Sequence, residues 1–190
     1  TDATIHSFEP WSFSYNQIKD SKLQNPKNNL KVNNFGLSDI KGDTILYTSS
    51  TKEMSWSSSM YEENLDVFTT EKSIKETITL TTLDSYCKEN NITHIDFLKL
   101  DIEGNEYNCF LGGRNIIEDG GIDFIQFEFN HCSIEARRFF IDYWNLLSKH
   151  YNFYRELSFR HGITKIEKYD VFYEQFYATN YLLVKKSINF

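Results

Sequence analysis

None of the eight glycines in this 190-residue chain precedes Gly36. That rules out a strand, a glycine-rich turn and a helix in the opening segment, the arrangement that cradles a phosphate. Proline is nearly as scarce, with only Pro10 and Pro26. The three cysteines, Cys87, Cys109 and Cys132, are isolated and odd in number. They suit neither a disulfide framework nor a zinc site, so reduced thiols in a cytoplasmic setting are expected. Twenty basic residues against 27 acidic ones give a net charge of −7. No basic stripe interrupts the acidic balance, which argues against nucleic acid as a partner. No apolar run reaches the ~18 residues of a membrane span. The opening Thr1-Asp2-Ala3-Thr4 has neither the basic start nor the apolar stretch of a signal peptide.

The sequence has the composition of a soluble domain: 40% hydrophobic, 25% charged and 16% aromatic. The length suits one domain, residues 1–190, with a real core. Strand and helix patterns alternate. Residues 3–8 read as a strand, 13–23 as a helix and 30–35 as a second strand. An alternating segment follows at 44–47. Strand character returns at 78–80, and a helix capped by Thr81 or Thr82 follows. Then come a strand at 95–101, a helix at 105–117, a strand at 122–129 and an amphipathic helix at 134–149. Two closing strands, 151–157 and 180–185, have no helix between them and are expected to form an antiparallel edge. The whole predicts an α/β domain with a mostly parallel sheet. Residues 49–75, rich in Ser, Thr, Glu and Lys, form a long surface excursion suited to a lid or to acceptor contacts, with Trp56 the candidate there.

The densest chemistry lies in Asp96-Phe97-Leu98-Lys99-Leu100-Asp101-Ile102-Glu103-Gly104-Asn105-Glu106. An apolar run ends abruptly in acids and a glycine, where an open α/β sheet places its ligands. Acids are also favoured in the first turn of any helix, so a solvated turn is the competing reading. Lys99 and Asp101, two apart on a strand, share a face. Glu128 closes the next strand, and His131 follows three residues later.

Together with Ile5-His6-Ser7-Phe8-Glu9-Pro10, Asn34-Phe35-Gly36-Leu37-Ser38-Asp39, Thr82-Leu83-Asp84 and Asn180-Tyr181-Leu182-Leu183, this block resembles the FkbM-type methyltransferases. The resemblance implies a Rossmann-like class I methyltransferase fold and S-adenosylmethionine as cofactor. It implies transfer to a hydroxyl of a small-molecule or carbohydrate acceptor. Glu9 would accept the ribose hydroxyls, Phe35 or Leu37 would contact the adenine, and Asp101 would face the methyl donor. Asp101 is the first candidate for the base that takes the acceptor's proton. Glu103 would orient the acceptor, hold the sulfonium end or join a divalent-metal site, although no metal-ligand set is assigned. His131 is the alternative base. Lys99 would act as a counter-charge on the acceptor side, with Glu128 lining the same crevice.

One departure from the family matters. Its members open with a strand and a glycine-containing loop beneath the methionine end of the cofactor, whereas this chain starts at what resembles the second strand. The absent strand belongs between the Ile5 and Ile95 strands. Three outcomes are open: the sequence is amino-terminally incomplete, which is the preferred reading; the strand comes from another chain; or the flanking strands pair directly. The 190-residue chain alone is expected to bind S-adenosylmethionine poorly. A non-catalytic methyltransferase-fold module for partner binding and a nucleotide-sugar-binding transferase are the competing functions.

Overall fold

A computed structural model of the chain describes residues 3–22, 29–48, 58–61, 74–157 and 162–189. The strands fall into three sheets. β1 (Ile5–Phe8) pairs in parallel with β2 (Leu30–Asn33), and α1 (Ser12–Lys22) lies between them in sequence. A four-stranded sheet has the order β3 (Gly36–Leu37), β6 (Ile74–Thr81), β4 (Gly42–Thr48) and β5 (Ser58–Ser59). Its β3–β6 pair is parallel, and both β4 pairs are antiparallel. α2 (Leu83–Glu89) then leads into β7 (Ile95–Leu100). α3 (Glu106–Gly112) and α4 (Arg114–Glu118) follow, then β8 (Ile122–Phe129). The main sheet runs β10 (Ile163–Ile166), β9 (Tyr151–Glu156), β11 (Thr179–Lys185), β8, β7.

The alternating strands and helices form a mixed α/β fold. The expected single, mostly parallel sheet does not form among the described residues. β7–β8 is the one parallel pair in the main sheet, and the other three pairs there are antiparallel. The reason lies in the strand order. β11 lies between β8 and β9 and runs antiparallel to both, so β8 and β9 share a direction without pairing and the parallel ladder stops at β8. The stretch read as a loop between the closing strands supplies β10 and a 3-10 turn (Val171–Tyr173), so β10 forms the antiparallel edge outside β9.

β8 sits between β7 and β11 and buries Ile122, Ile125, Phe127 and Phe129 completely. α6 (Phe140–Leu147) covers that face: Tyr143 stacks on Phe127 at 5.0 Å with an interplanar angle of 11°. Tyr181 of β11 stacks on Phe127 at 5.6 Å. Each such ring contributes on the order of 2 kcal/mol by leaving water, which gives the sheet one firmly covered side. A smaller cluster of Trp11, Leu46, Ile78 and Leu80 ties α1 to the four-stranded sheet.

Two predicted helices are interrupted. The 134–149 segment holds a short α5 (Cys132–Glu135), then Arg137 at φ 53, and only then α6. The break is fixed from outside. Glu174 accepts the N–H groups of Phe140 and Ile141 at 2.7 and 2.9 Å, and Asp142 accepts that of Phe139 at 2.8 Å. The 105–117 helix breaks at Gly113 into α3 and α4. Asp84 caps the second piece by accepting from Asn115 and Ile116 at 2.9 and 3.0 Å. Thr82, rather than Thr81, caps α2 by accepting from Ser85.

Candidate functional site

β7 ends at Leu100, and the next five residues turn sharply. Glu103 has φ 51 and Gly104 φ 98. A side chain at Gly104 would stand 2.8 Å from the Cys132 carbonyl oxygen, so glycine is required there. Glu106 is 2% exposed. Its carboxylate turns back to accept the N–H of Ile102 at 2.8 Å and of Gly104 at 3.0 Å. Burial raises its pKa to about 7, against the donation from those backbone groups. Asn105 donates to the Leu37 carbonyl at 2.8 Å, and Ser59 donates to the Glu103 carbonyl at 3.1 Å. The acidic turn is therefore pinned from its own helix, from β3 and from β5.

The turn opens onto a cavity of about 660 Å³ whose wall includes Glu9, Leu37, Lys99, Asp101 and Glu103. That size suits a small molecule or nucleoside cofactor (~300–1,000 Å³). Glu9 follows β1, and its backbone N–H donates to the Asn33 carbonyl at 3.0 Å. One carboxylate oxygen accepts from the Trp11 N–H at 2.9 Å. Burial raises the Glu9 pKa, the Trp11 N–H opposes that shift, and Glu76 adds to it. Lys99 Nζ meets Asp101 Oδ2 at 2.9 Å, as their shared strand face requires.

Behind this wall lies a polar cluster centred on the buried Asn130. Its amide donates to Glu128 at 2.6 Å and to Glu103 at 3.3 Å. The Cys132 thiol donates to the same Glu103 oxygen at 3.2 Å. The Glu128 pKa is raised, first by burial and then by Asp101 and Glu103, while Asn130 and Lys99 oppose the rise. These acids share one electrostatic field.

The structure brings Glu9, Leu37, Lys99, Asp101 and Glu103 onto one wall. Glu128 and His131 stand off that wall, with His131 Nε2 3.5 Å from the Cys132 sulfur. Phe35 also lies off it, packed at 5.8 Å against Phe8 and 5.9 Å against Tyr86. Trp56 falls outside the described residues. Sequence reasoning missed Asn105, Glu106 and Asn130. The visible signal was a second acid three residues after Glu103, and an asparagine just past the strand ending in Glu128. Elsewhere, His94, Asp96 and Asp123 converge at the opposite end of β7, where Asp123 also meets Lys185 at 3.5 Å. Among the described residues, no helix is long and apolar enough to cross a membrane.

A family model described as the methyltransferase FkbM domain matches residues 2–161. No curated protein matches the chain. Among solved structures, the chain is similar to methyltransferase FkbM from Methylobacillus flagellatus KT, at 15% identity and a TM-score of 0.55. The alignment covers 95% of this chain and 36% of that one, so these residues span about a third of the longer protein. The family match runs from the Glu9 strand through the Asp101 turn and the Asn130 cluster, and on that ground the chain belongs to the FkbM methyltransferase domain family.

Proposed function

We propose that this domain transfers a methyl group from S-adenosylmethionine to a hydroxyl of a small-molecule or carbohydrate acceptor. One observation carries the reading: carboxylates at the ends of two strands, Glu9 after β1 and Asp101 after β7, face the same cavity. This is the carboxyl-end crevice where α/β sheets hold ligands, and the β2-β1 and β7-β8 pairs are read as parts of one Rossmann-like sheet. Glu9 fits the nucleoside end of the cofactor, because a half-buried carboxylate accepts from vicinal hydroxyls. Leu37 offers an apolar surface for the adenine. When bound, the cofactor supplies an electrophilic methyl group.

The chain's own residues do the rest. Asp101 accepts the proton of the acceptor hydroxyl. Lys99 holds the Asp101 carboxylate in place, and Glu103, fixed by Asn130 and Cys132, orients the acceptor. His131 is the alternative base, placed behind Glu103. Three buried thiols fit a reducing, cytoplasmic setting.

Mass spectrometry of the purified full-length protein tests the proposal. Copurified adenosylmethionine or adenosylhomocysteine is expected, and Glu9→Ala should remove it. A protein free of both, and silent in calorimetric titration with either, would defeat the reading. Among the described residues β1 and β7 each pair along one edge only, which favours a second reading, a partner-binding module without catalysis, and the same absence of nucleoside would support it.

A further inference from the structure

His94, Asp96 and Asp123 meet at the amino-terminal ends of β7 and β8, the far end of the sheet from Asp101. The register explains the meeting. Ile95 pairs with Ile122 and Phe97 with Phe124, so Asp96 stands opposite Asp123 on the neighbouring parallel strand. His94 lies two residues before Asp96 and so shares its face. The backbone on either side of the imidazole is tied down. Ile92 donates to the Cys87 carbonyl at 2.8 Å, and Ile95 to that of Gly121 at 2.8 Å.

The donor atoms converge. His94 Nε2 stands 3.2 Å from Asp123 Oδ2 and 3.8 Å from Asp96 Oδ1. One ligand atom from each residue lies within 4.8 Å of the other two. An ion held at ~2.1 Å by nitrogen and oxygen donors sets neighbouring donors ~3.0–3.4 Å apart in octahedral or tetrahedral shells. The His94–Asp123 separation already matches. The Asp96 side chain is 99% exposed, so rotation about its own bonds closes the remainder. The imidazole makes this a mixed donor set rather than an acidic patch.

A second observation concerns orientation and charge. The other Asp123 oxygen, Oδ1, is 3.5 Å from Lys185 Nζ, which also donates to the Gly120 carbonyl at 2.6 Å. This anchor leaves Oδ2 turned toward the imidazole, as outer partners orient the ligands of a metal. Lys185 offsets one of the two negative charges. The other calls for a cation, because carboxylates this close repel. A neutral imidazole adds a nitrogen donor and no charge. His94 is 48% exposed and Asp123 26%, so an ion enters directly from solvent.

We propose that His94, Asp96 and Asp123 form a three-ligand site for a divalent transition-metal ion, with zinc the best fit and water completing its shell. Imidazole with carboxylate suits zinc, whereas magnesium and calcium prefer shells of oxygen alone. The ion ties the start of β7 to the start of β8, away from the acids that face the cavity. Its role is structural, and the inference is independent of the methyl-transfer reading.

Calorimetric titration of chelator-treated full-length protein with zinc chloride tests it. One equivalent should bind, with magnesium silent at the same concentration. His94→Ala and Asp96→Asn should each weaken zinc binding at least ~10-fold, the loss that follows removal of even an outer partner of a metal ligand. Both side chains are exposed, so the variants should keep the wild-type circular dichroism. His150→Ala, at another surface histidine, should leave the titration unchanged. Zinc should raise the thermal midpoint of the wild type but not that of His94→Ala. Silence up to ~1 mM zinc would overturn the site, since binding weaker than that is marginal. So would binding that survives both substitutions, binding lost in Cys132→Ala, or equal affinity for magnesium.

Discussion

Glu106 Oε2 accepts the backbone N–H of Gly104 at 3.0 Å, so a buried acid of α3 holds the turn that carries Asp101 and Glu103. Its other oxygen takes the Ile102 N–H at 2.8 Å. Glu106→Gln keeps the shape but sets an amide donor against one of those N–H groups. A loss of ~1–3 kcal/mol is expected, from one unsatisfied buried donor. Urea denaturation measures it, and an unchanged midpoint would show that the turn does not depend on this acid.

The same residue makes stability depend on pH. Its folded pKa of about 7 lies above the ordinary 4.5. The folded state therefore holds this proton more tightly than the unfolded chain does. The resulting stabilisation is complete below pH ~4.5 and is lost as pH rises through ~7, on the order of 3 kcal/mol in all. Comparing wild type with Glu106→Gln between pH 5 and pH 8 isolates the effect. Parallel stability curves would mean that Glu106 does not titrate in that range.

Asp101→Asn in the full-length protein should lower turnover at least ~100-fold, the usual contribution of a positioned base, with cofactor affinity preserved. A transfer assay and a calorimetric titration on the same sample separate the two. Near-normal turnover would pass the role of base to another group, with His131 the next to test.

Gly112 lies where α3 crosses the turn after β3, and a Cβ there would fall 2.0 Å from the Ser38 carbonyl oxygen. Because the neighbour is backbone, it cannot swing aside. Gly112→Ala should cost ~1–3 kcal/mol by overpacking. Thermal unfolding reads this, and a neutral result would show that α3 shifts freely on β3.

Burial and the neighbouring acids Glu103, Glu106 and Glu128 push the Cys132 thiol well above its ordinary range. The thiolate is the reactive form, so native Cys132 should resist iodoacetamide at pH 8 and label only on unfolding. Rapid labelling of the folded chain, located by peptide mapping, would contradict the hydrogen bond to Glu103.

Much of the site was legible because strand ends announce themselves. An apolar run stopping at Asp101, and another stopping at Glu9-Pro10, mark carboxyl ends by composition alone. The Lys99–Asp101 pair follows from the two-residue repeat of a strand. Helix breaks were hidden because their causes are distant in sequence. Glu174 caps α6 from 34 residues away, and Asp84 caps α4 from 31. Of Phe35 and Leu37, the two candidates for the adenine, Leu37 lines the cavity while the Phe35 ring packs against Phe8 and Tyr86, a division that no local pattern displays.

The sequence by itself determined the α/β alternation, the family and the acids at the strand ends, since periodicity and motif are local properties of the chain. Tertiary structure alone decided the rest. Pairing depends on which backbone edges meet, so only the folded chain showed three sheets instead of one among the described residues. Only the folded chain placed Glu106 and Asn130 behind the acids, because buried hydrogen bonds depend on distance in space.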